Sequence, residues 1–162
     1  MEKDKIKLEI PYEEIYPQLR MIQRDDISED YVSSIDHILE LHEYGKEHGL
    51  IGYTFAVKYE DRYIGIILVG EAIEWKTDPP EMKKEPFYRI LNFVIDKDFR
   101  GKGIGGYVFE KAVEQVYAAF GVRPLALGCH KENKAAEKFY LNHGFVKTEY
   151  MEDEDFYFLR YP

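Results

Sequence analysis

The sequence predicts an α/β domain built around one mixed sheet. Three observations lead there. Segments with strand periodicity and segments with helical periodicity are interleaved, in the order strand, two helices, three strands, helix, strand, helix, two strands. Hydrophobic residues make up 45% of the 162 residues, enough for a core that needs no disulfide or metal staple. No repeat, linker or low-complexity stretch interrupts the order, so residues 1–162 are read as a single domain.

Each element has a local reason. Residues 5–10 alternate apolar and polar side chains, as a strand does, and Pro11 ends them. Residues 13–22 read as a short helix containing Pro17. Ser28 is the expected N-cap of a second helix, with Glu29 and Asp30 in its first turn. Val32, Ile35, Ile38, Leu39 and Leu41 then recur at helical spacing, and Gly45 or Gly49 closes the helix. Residues 53–59 and 63–71 form a hairpin about Glu60, Asp61 and Arg62. Asp78, Pro79 and Pro80 make residues 77–85 a loop. Residues 87–96 are apolar enough for a central strand. Residues 103–120 form a helix with Ile104, Val108, Ala112, Val113 and Val116 turned inward, and residues 124–129 a buried strand. Residues 133–142 are a helix closed by Gly144. Residues 145–150 and 156–161 are the last strands, separated by the acidic run 152–155.

Composition excludes several functions. A net charge of −9 argues against nucleic acid, whose phosphates demand a basic face. The same charge serves solubility or attracts a small cation. The single cysteine, Cys129, permits no internal disulfide and is read as a small core residue. No apolar run is long enough to span a membrane, and the first residues lack a signal-peptide core, so a cytoplasmic protein is expected. His37, His42, His48, His130 and His143 show no metal-ligand spacing, and no metal site is expected.

The most informative stretch runs from Phe93, Val94 and Ile95 through Arg100, Gly101, Lys102, Gly103, Ile104, Gly105 and Gly106. A strand enters a glycine-rich turn that opens a helix. The first turn of a helix presents unpaired N–H groups and a partial positive charge, glycines let that backbone approach an anion, and Arg100 and Lys102 add full charges. This arrangement suits a pyrophosphate. Gly101, Gly103 and Gly106 also satisfy the dinucleotide pattern G-x-G-x-x-G. The context opposes that reading. Too little chain follows for a dinucleotide fold, and Val122, Arg123 and Pro124 stand where an acidic ribose partner would be expected.

Arg100, Gly103 and Gly105 match the R/Q-x-x-G-x-G/A signature of the GNAT acetyltransferases, and the segment from Asn133 to Phe145 resembles that superfamily's N-x-x-A-x-x-F-Y-x-x-x-G-F. Both motifs sit at the family's usual separation, and the order of elements agrees over nearly the whole chain. The resemblance implies a mixed, mostly antiparallel sheet, splayed between its fourth and fifth strands, with helices on both faces. It implies acetyl-CoA as co-substrate, its pyrophosphate on residues 100–106 and its pantetheine arm against Phe93, Val94 and Ile95. Asn133 is expected beside the cofactor. It also implies homodimerisation near the C-terminus, where Phe156, Tyr157 and Phe158 are expected to give an exposed sheet edge or face. In its branch for small amines and polyamines the family shares the hairpin, Gly70 and Glu71 with this chain.

Spacing adds a chemical reading. Asn133, Ala136 and Tyr140 share one helix face. An alkylamine has a pKa of about 10.4, so a base or water must take its proton; a departing thiolate, with a pKa of about 8.5, gains from receiving one. Tyr140 matches the family's acid and is the expected donor. No carboxylate lies on the strand before Asp96, which leaves Glu71 or ordered water as base. The function expected is transfer of an acetyl group to a small cationic amine. A protein N-terminus or lysine as acceptor, and a non-catalytic CoA-binding module, are the alternatives.

Overall fold

The structure, a computed structural model, describes residues 2–162. Seven strands form one sheet: β1 (Ile6–Glu9), β2 (Gly52–Tyr59), β3 (Arg62–Glu71), β4 (Tyr88–Ile95), β5 (Leu125–His130), β6 (Val146–Glu152) and β7 (Asp155–Arg160), in the spatial order β1-β2-β3-β4-β5-β7-β6. Only the β4–β5 pair is parallel. The helices are α1 (Tyr16–Leu19), α2 (Ile35–Glu47), α3 (Ile104–Phe120) and α4 (Lys134–Asn142).

Alternation along the strands sorts their side chains to two faces. Phe55, Val57, Ile67, Val69, Tyr88 and Ile90 pack with Val108, Phe109, Ala112 and Val116 of α3. Ala56, Ile66 and Val94 pack on the other face with Leu19 of α1 and Ile35, Ile38 and Leu39 of α2. Helices therefore cover both faces, as the family resemblance implied. A register shift in β4 leaves Leu91 without a partner, because Val69 pairs with Ile90 and Leu68 with Asn92. Such a bulge bends a strand and re-aims its side chains.

Several local expectations change. The helix expected over 13–22 is a 3-10 turn, Glu13–Ile15, followed by the one-turn α1. Ser28 caps no helix: α2 begins at Ile35, and the Ser34 side chain accepts from the His37 N–H at 3.2 Å. Long-range bonds hold residues 24–33 out of helix. The Arg24 guanidinium donates to the carbonyls of Ser33, Ile27 (3.3 Å) and Val32 (2.7 Å), and the Ser33 N–H donates to Asn92 Oδ1 at 3.1 Å. The acidic run before β7 shrinks to a two-residue turn, since Glu152 already pairs with Asp155. Phe156, Tyr157 and Phe158 form no exposed edge. They lie in β7, inside the sheet between β5 and β6, and Tyr157 and Phe158 are buried. The edge strand is β6, where Val146, Tyr150 and Met151 are exposed.

Candidate active site

The site begins where β4 and β5 part. Their pairing covers only Tyr88 with Leu125 and Arg89 with Ala126. Beyond these residues the strands diverge, and the interior of the sheet opens as a gap of about 70 Å³. Ile90, Leu91, Asn92 and Phe93 line one side of it, Leu127, Gly128 and Cys129 the other, and Asn133, Ala136 and Tyr140 of the α4 segment close it from α3's side. Tyr31 and Val32 cover it from the segment that Arg24 pins, with the Tyr31 ring 4.7 Å from that of His130.

A cleft of about 930 Å³ shares Tyr31, Val32, Phe93, Asn133, Ala136 and Tyr140 with the gap and runs from there to the glycine loop. Gly101 and Gly103 have φ of +75° and +76°, backbone that ordinary side chains adopt only under strain. A Cβ on Gly101 would meet nothing within 4 Å, and one on Gly103 would approach only the Lys3 side chain, with Nζ at 3.3 Å. Gly103 is the N-cap of α3 and supplies no side-chain cap, so the first N–H groups of this helix stay free for an anion. Arg100 stands beside them. Its Nε donates to the Ile95 carbonyl at 2.8 Å and its Nη1 pairs with Asp26. Its Nη2 is buried with no partner in the protein, a donor left over for an incoming oxygen. The apolar cleft, the uncapped helix and the spare guanidinium nitrogen fit a diphosphate carrying a long, largely apolar arm.

Tyr140 is held by its ring. Phe109, Phe139 and Phe145 surround it nearly edge-on, at 6.1, 5.2 and 5.5 Å between centroids. Its hydroxyl makes no hydrogen bond among the described residues. The fully buried tyrosines use theirs, Tyr63 on Glu9, Tyr88 on the Gly121 carbonyl and Tyr157 on Asp78, whereas Tyr53, Tyr59 and Tyr107, half-buried like Tyr140, do not. Burial, and secondarily the Cys129 thiol, raises the Tyr140 pKa well above that of an ordinary phenol, so the proton is held at neutral pH. Burial also pushes the Cys129 thiol up to about 11, which keeps it inert.

A model of the acetyltransferase (GNAT) family matches residues 12–145. The chain belongs to this family. It is 37% identical over 68 residues to an uncharacterized N-acetyltransferase of Methanocaldococcus jannaschii; that match takes in 42% of this chain and only 30% of the relative's length. The fold resembles the PaiA N-acetyltransferase of Thermoplasma acidophilum in complex with coenzyme A, at a TM-score of 0.70 and 16% identity over 97% of this chain and 99% of that one. It also resembles a GNAT family acetyltransferase of Elizabethkingia anophelis with acetyl-CoA bound, at 0.62 and 14% over 98% and 99%. At such identities the two structures speak for the fold.

The GNAT motifs converge here, with two exceptions. Phe93, Val94, Ile95, Arg100, Gly101, Gly103, Gly105, Gly106, Asn133 and Tyr140 all line the cleft. The Lys102 side chain does not; it turns away to the Asp98 carbonyl at 3.1 Å. The Ile104 side chain, 1% exposed, belongs to the core. Gly105 and Gly106 have a further reason to be glycine. A Cβ on Gly106 would lie 2.7 Å from Cε1 of His143, and one on Gly105 3.4 Å from the Phe139 ring, so both let α3 and α4 approach closely. Lys131, Lys134 and Lys138 do not line the cleft: Lys131 pairs with Glu154 and Lys134 lies 3.9 Å from Glu137. Glu71 lies at the far end of β3, opposite Tyr88, and its carboxylate accepts from the Ile51 N–H at 2.9 Å. Phe93 stands five residues along β4 from Tyr88, roughly 16 Å at strand rise, so Glu71 is remote from the Phe93 end of the gap. Sequence reasoning missed Lys3, Tyr31 and His143, and took Asp155 only as part of the acidic run 152–155. Asp155 Oδ2 lies 3.3 Å from where a side chain on Gly128, a residue of the gap's β5 wall, would begin, but Asp155 itself lines neither the gap nor the cleft. No side chain bonds its carboxylate, and burial, opposed by His130, raises its pKa.

Proposed function

We propose that this GNAT family member transfers an acetyl group from acetyl-CoA to a primary amine by direct attack, with Tyr140 as the acid and Asp155 as the base. The free hydroxyl of Tyr140, held at the gap by Phe109, Phe139 and Phe145, carries the reading. Acetyl-CoA supplies the activated acyl group as a thioester. The chain's own residues do the rest. Arg100 Nη2 and the uncapped N–H groups at Gly103 to Gly106 bind the diphosphate. Phe93, Val94 and Ile95 flank the arm, because β4 there has no β5 partner and keeps backbone groups free. Asp155 takes a proton from the ammonium of the acceptor. As the C–N bond forms and the C–S bond breaks, the Tyr140 hydroxyl gives its proton to the departing sulfur. Two protons leave the nitrogen, the first to Asp155 and the second to water once the C–N bond has formed; the sulfur takes one from Tyr140, which solvent reprotonates, so one proton is released net.

A bound coenzyme A in the Thermoplasma relative and bound acetyl-CoA in the Elizabethkingia relative support the choice of donor. The acceptor's positive charge is favoured by the chain's net −9 and by Asp155 beside Gly128. The test is release of free CoA from acetyl-CoA with a panel of primary amines, in the parent and in Tyr140→Phe. Amine-dependent release that Tyr140→Phe cuts at least tenfold is the expected result. No amine-dependent release by a parent that binds acetyl-CoA would leave a non-catalytic CoA-binding module.

A further inference from the structure

A second cavity, of about 570 Å³, lies on the α2 face of the sheet. Its floor is Thr54 of β2, Leu68 and Gly70 of β3, and Arg89 and Leu91 of β4; α2 roofs it with Leu41, His42 and Gly45, and Trp75 closes its side. It lies outside the glycine-loop cleft, and it meets the gap between β4 and β5 at one residue, the bulged Leu91, which lines both. From Leu91 to Phe93 is two residues of strand, about 7 Å.

We propose that this cavity holds the apolar body of the acceptor, so that the preferred substrate is a primary amine on a short arm attached to an alkyl or aryl group. The inference rests on the acetyltransferase reading and adds the substrate class. Charge in the cavity decides between an apolar body and a second ammonium. Glu71 is the carboxylate there, and its Oε1 is already taken by the Ile51 N–H. Lys46 and Arg89 also line the walls. Arg89 is 4% exposed, bonded to Asp78 at 3.1 and 3.2 Å and to the Ile73 carbonyl at 2.9 Å, with its guanidinium 3.6 Å from the Trp75 ring centroid. Burial lowers the pKa of His42 and keeps that ring neutral. A second cation entering here would lose its water and find only Glu71, whose Oε1 is already used, since Arg89 is neutralised by Asp78 and Lys46 lies 3.8 Å from Glu43. A hydrocarbon body would instead meet Leu41, Leu50, Leu68, Ile73 and Leu91. The Thr54 hydroxyl, on a side chain 5% exposed and with no protein hydrogen bond, offers one polar contact on the floor.

Gly45 provides the test. It is a helical residue lining the cavity, and a Cβ there meets nothing within 4 Å, so a larger side chain enters open space. Removing Gly from a helix interior also favours folding. The probes are ethylamine, 2-phenylethylamine and 1,4-diaminobutane, followed by CoA release. In the parent, kcat/KM for 2-phenylethylamine should exceed that of each other amine by about tenfold or more. Gly45→Phe should abolish that advantage while leaving ethylamine turnover and acetyl-CoA binding unchanged; Gly45→Ala should keep it. Equal turnover of all three amines by the parent, a preference for the diamine, or a 2-phenylethylamine preference that survives Gly45→Phe overturns the inference and leaves the acetyltransferase reading standing. Failure of every amine with acetyl-CoA still bound sinks both. A dimer of the parent that Gly45→Phe dissociates would assign the cavity to a second copy of this chain and overturn it too.

Discussion

Replacing Arg100 with Met tests the phosphate site through one atom. In the free protein Arg100 makes two attachments, Nε to the Ile95 carbonyl and Nη1 to Asp26, and leaves Nη2 buried and unpartnered. The substitution keeps the aliphatic stem and removes all three nitrogens. Loss of the Ile95 bond should lower stability by about 1 kcal/mol. Loss of the Asp26 pair should add little, since the Asp26 side chain is 49% exposed and can turn to water. Binding changes more. A hydrogen bond from a guanidinium to a phosphate oxygen is worth about 1.5–3 kcal/mol, which is roughly a 10- to 150-fold rise in Kd. Calorimetric titration with coenzyme A and with pantetheine, which lacks the diphosphate, separates this from general damage. Coenzyme A should bind Arg100→Met at least tenfold more weakly, and pantetheine should bind the two proteins alike. An unchanged Kd for coenzyme A would refute the assignment of Nη2. An equal loss for both ligands would show that the substitution distorts the cleft instead.

Tyr140→Phe should lower kcat by at least tenfold with chemistry rate-limiting, yet leave the melting temperature unchanged, because the hydroxyl has no protein partner to lose; a fall in stability without a fall in kcat would make the residue structural. Asp155→Asn should lower kcat/KM and remove the acid limb of its pH profile, a limb that in the parent lies above the usual carboxylate value of about 3.9 because burial raises the group. Folding raises this pKa, so ionised Asp155 opposes folding as pH rises; Asn should therefore not destabilise the protein at neutral pH, and a clear drop in melting temperature there would contradict the assignment. Gly106→Ala puts a Cβ 2.7 Å from the His143 ring and should cost about 1–3 kcal/mol in a chemical denaturation curve, with much of the loss recovered in the double variant with His143→Ala; additivity of the two changes would remove the close-packing explanation.

What the chain disclosed beforehand depended on whether the cause was local. The glycine loop was legible because a strand, a positive-φ turn and a helix start are consecutive in sequence, and its residues line the cleft. Tyr140 was legible through its helix face and its motif. Lys102 and Ile104 sit within the same motif, but the turn before α3 directs Lys102 to the Asp98 carbonyl and the first turn of α3 directs Ile104 into the core, both off the cleft. The start of α2 was misplaced because Ser28 and Ser34 have equal local claims as caps. The Arg24 guanidinium, which ties up the carbonyls of the intervening segment, and the remote Asn92 decide between them. Lys3 and Tyr31 carry no local mark at all; the topology brings them to the cleft and the gap from the far N-terminal side. The aromatic pattern of β7 fits an edge and an interior strand equally, and only the crossover that places β6 outside it settles the matter.

The site follows from one unfinished strand pairing. A sheet normally satisfies its interior backbone by running neighbours side by side. Here β5 meets β4 for two residues and then leaves it, because β5 continues in full register with β7 over Leu125 to His130 while β4 stays with β3 as far as Ile95. The two halves of the sheet thus diverge as rigid bodies, each tied to its own neighbour. Between them β4 exposes unpaired polar backbone at the centre of the domain, an arrangement that disfavours the free protein and favours any ligand able to supply the missing partner. An extended arm with amide groups is such a partner, since it can run beside β4 as a surrogate strand. The bulge at Leu91 extends the same logic to the opposite face. Pairing on the β3 side breaks where pairing on the β5 side has already ended, so this stretch of β4 is free to turn one side chain toward the α2 cavity while Phe93 still faces α3. With the acceptor in that cavity as proposed, donor and acceptor would approach one segment of backbone from opposite faces, and the strand would set the geometry of transfer before either substrate arrives.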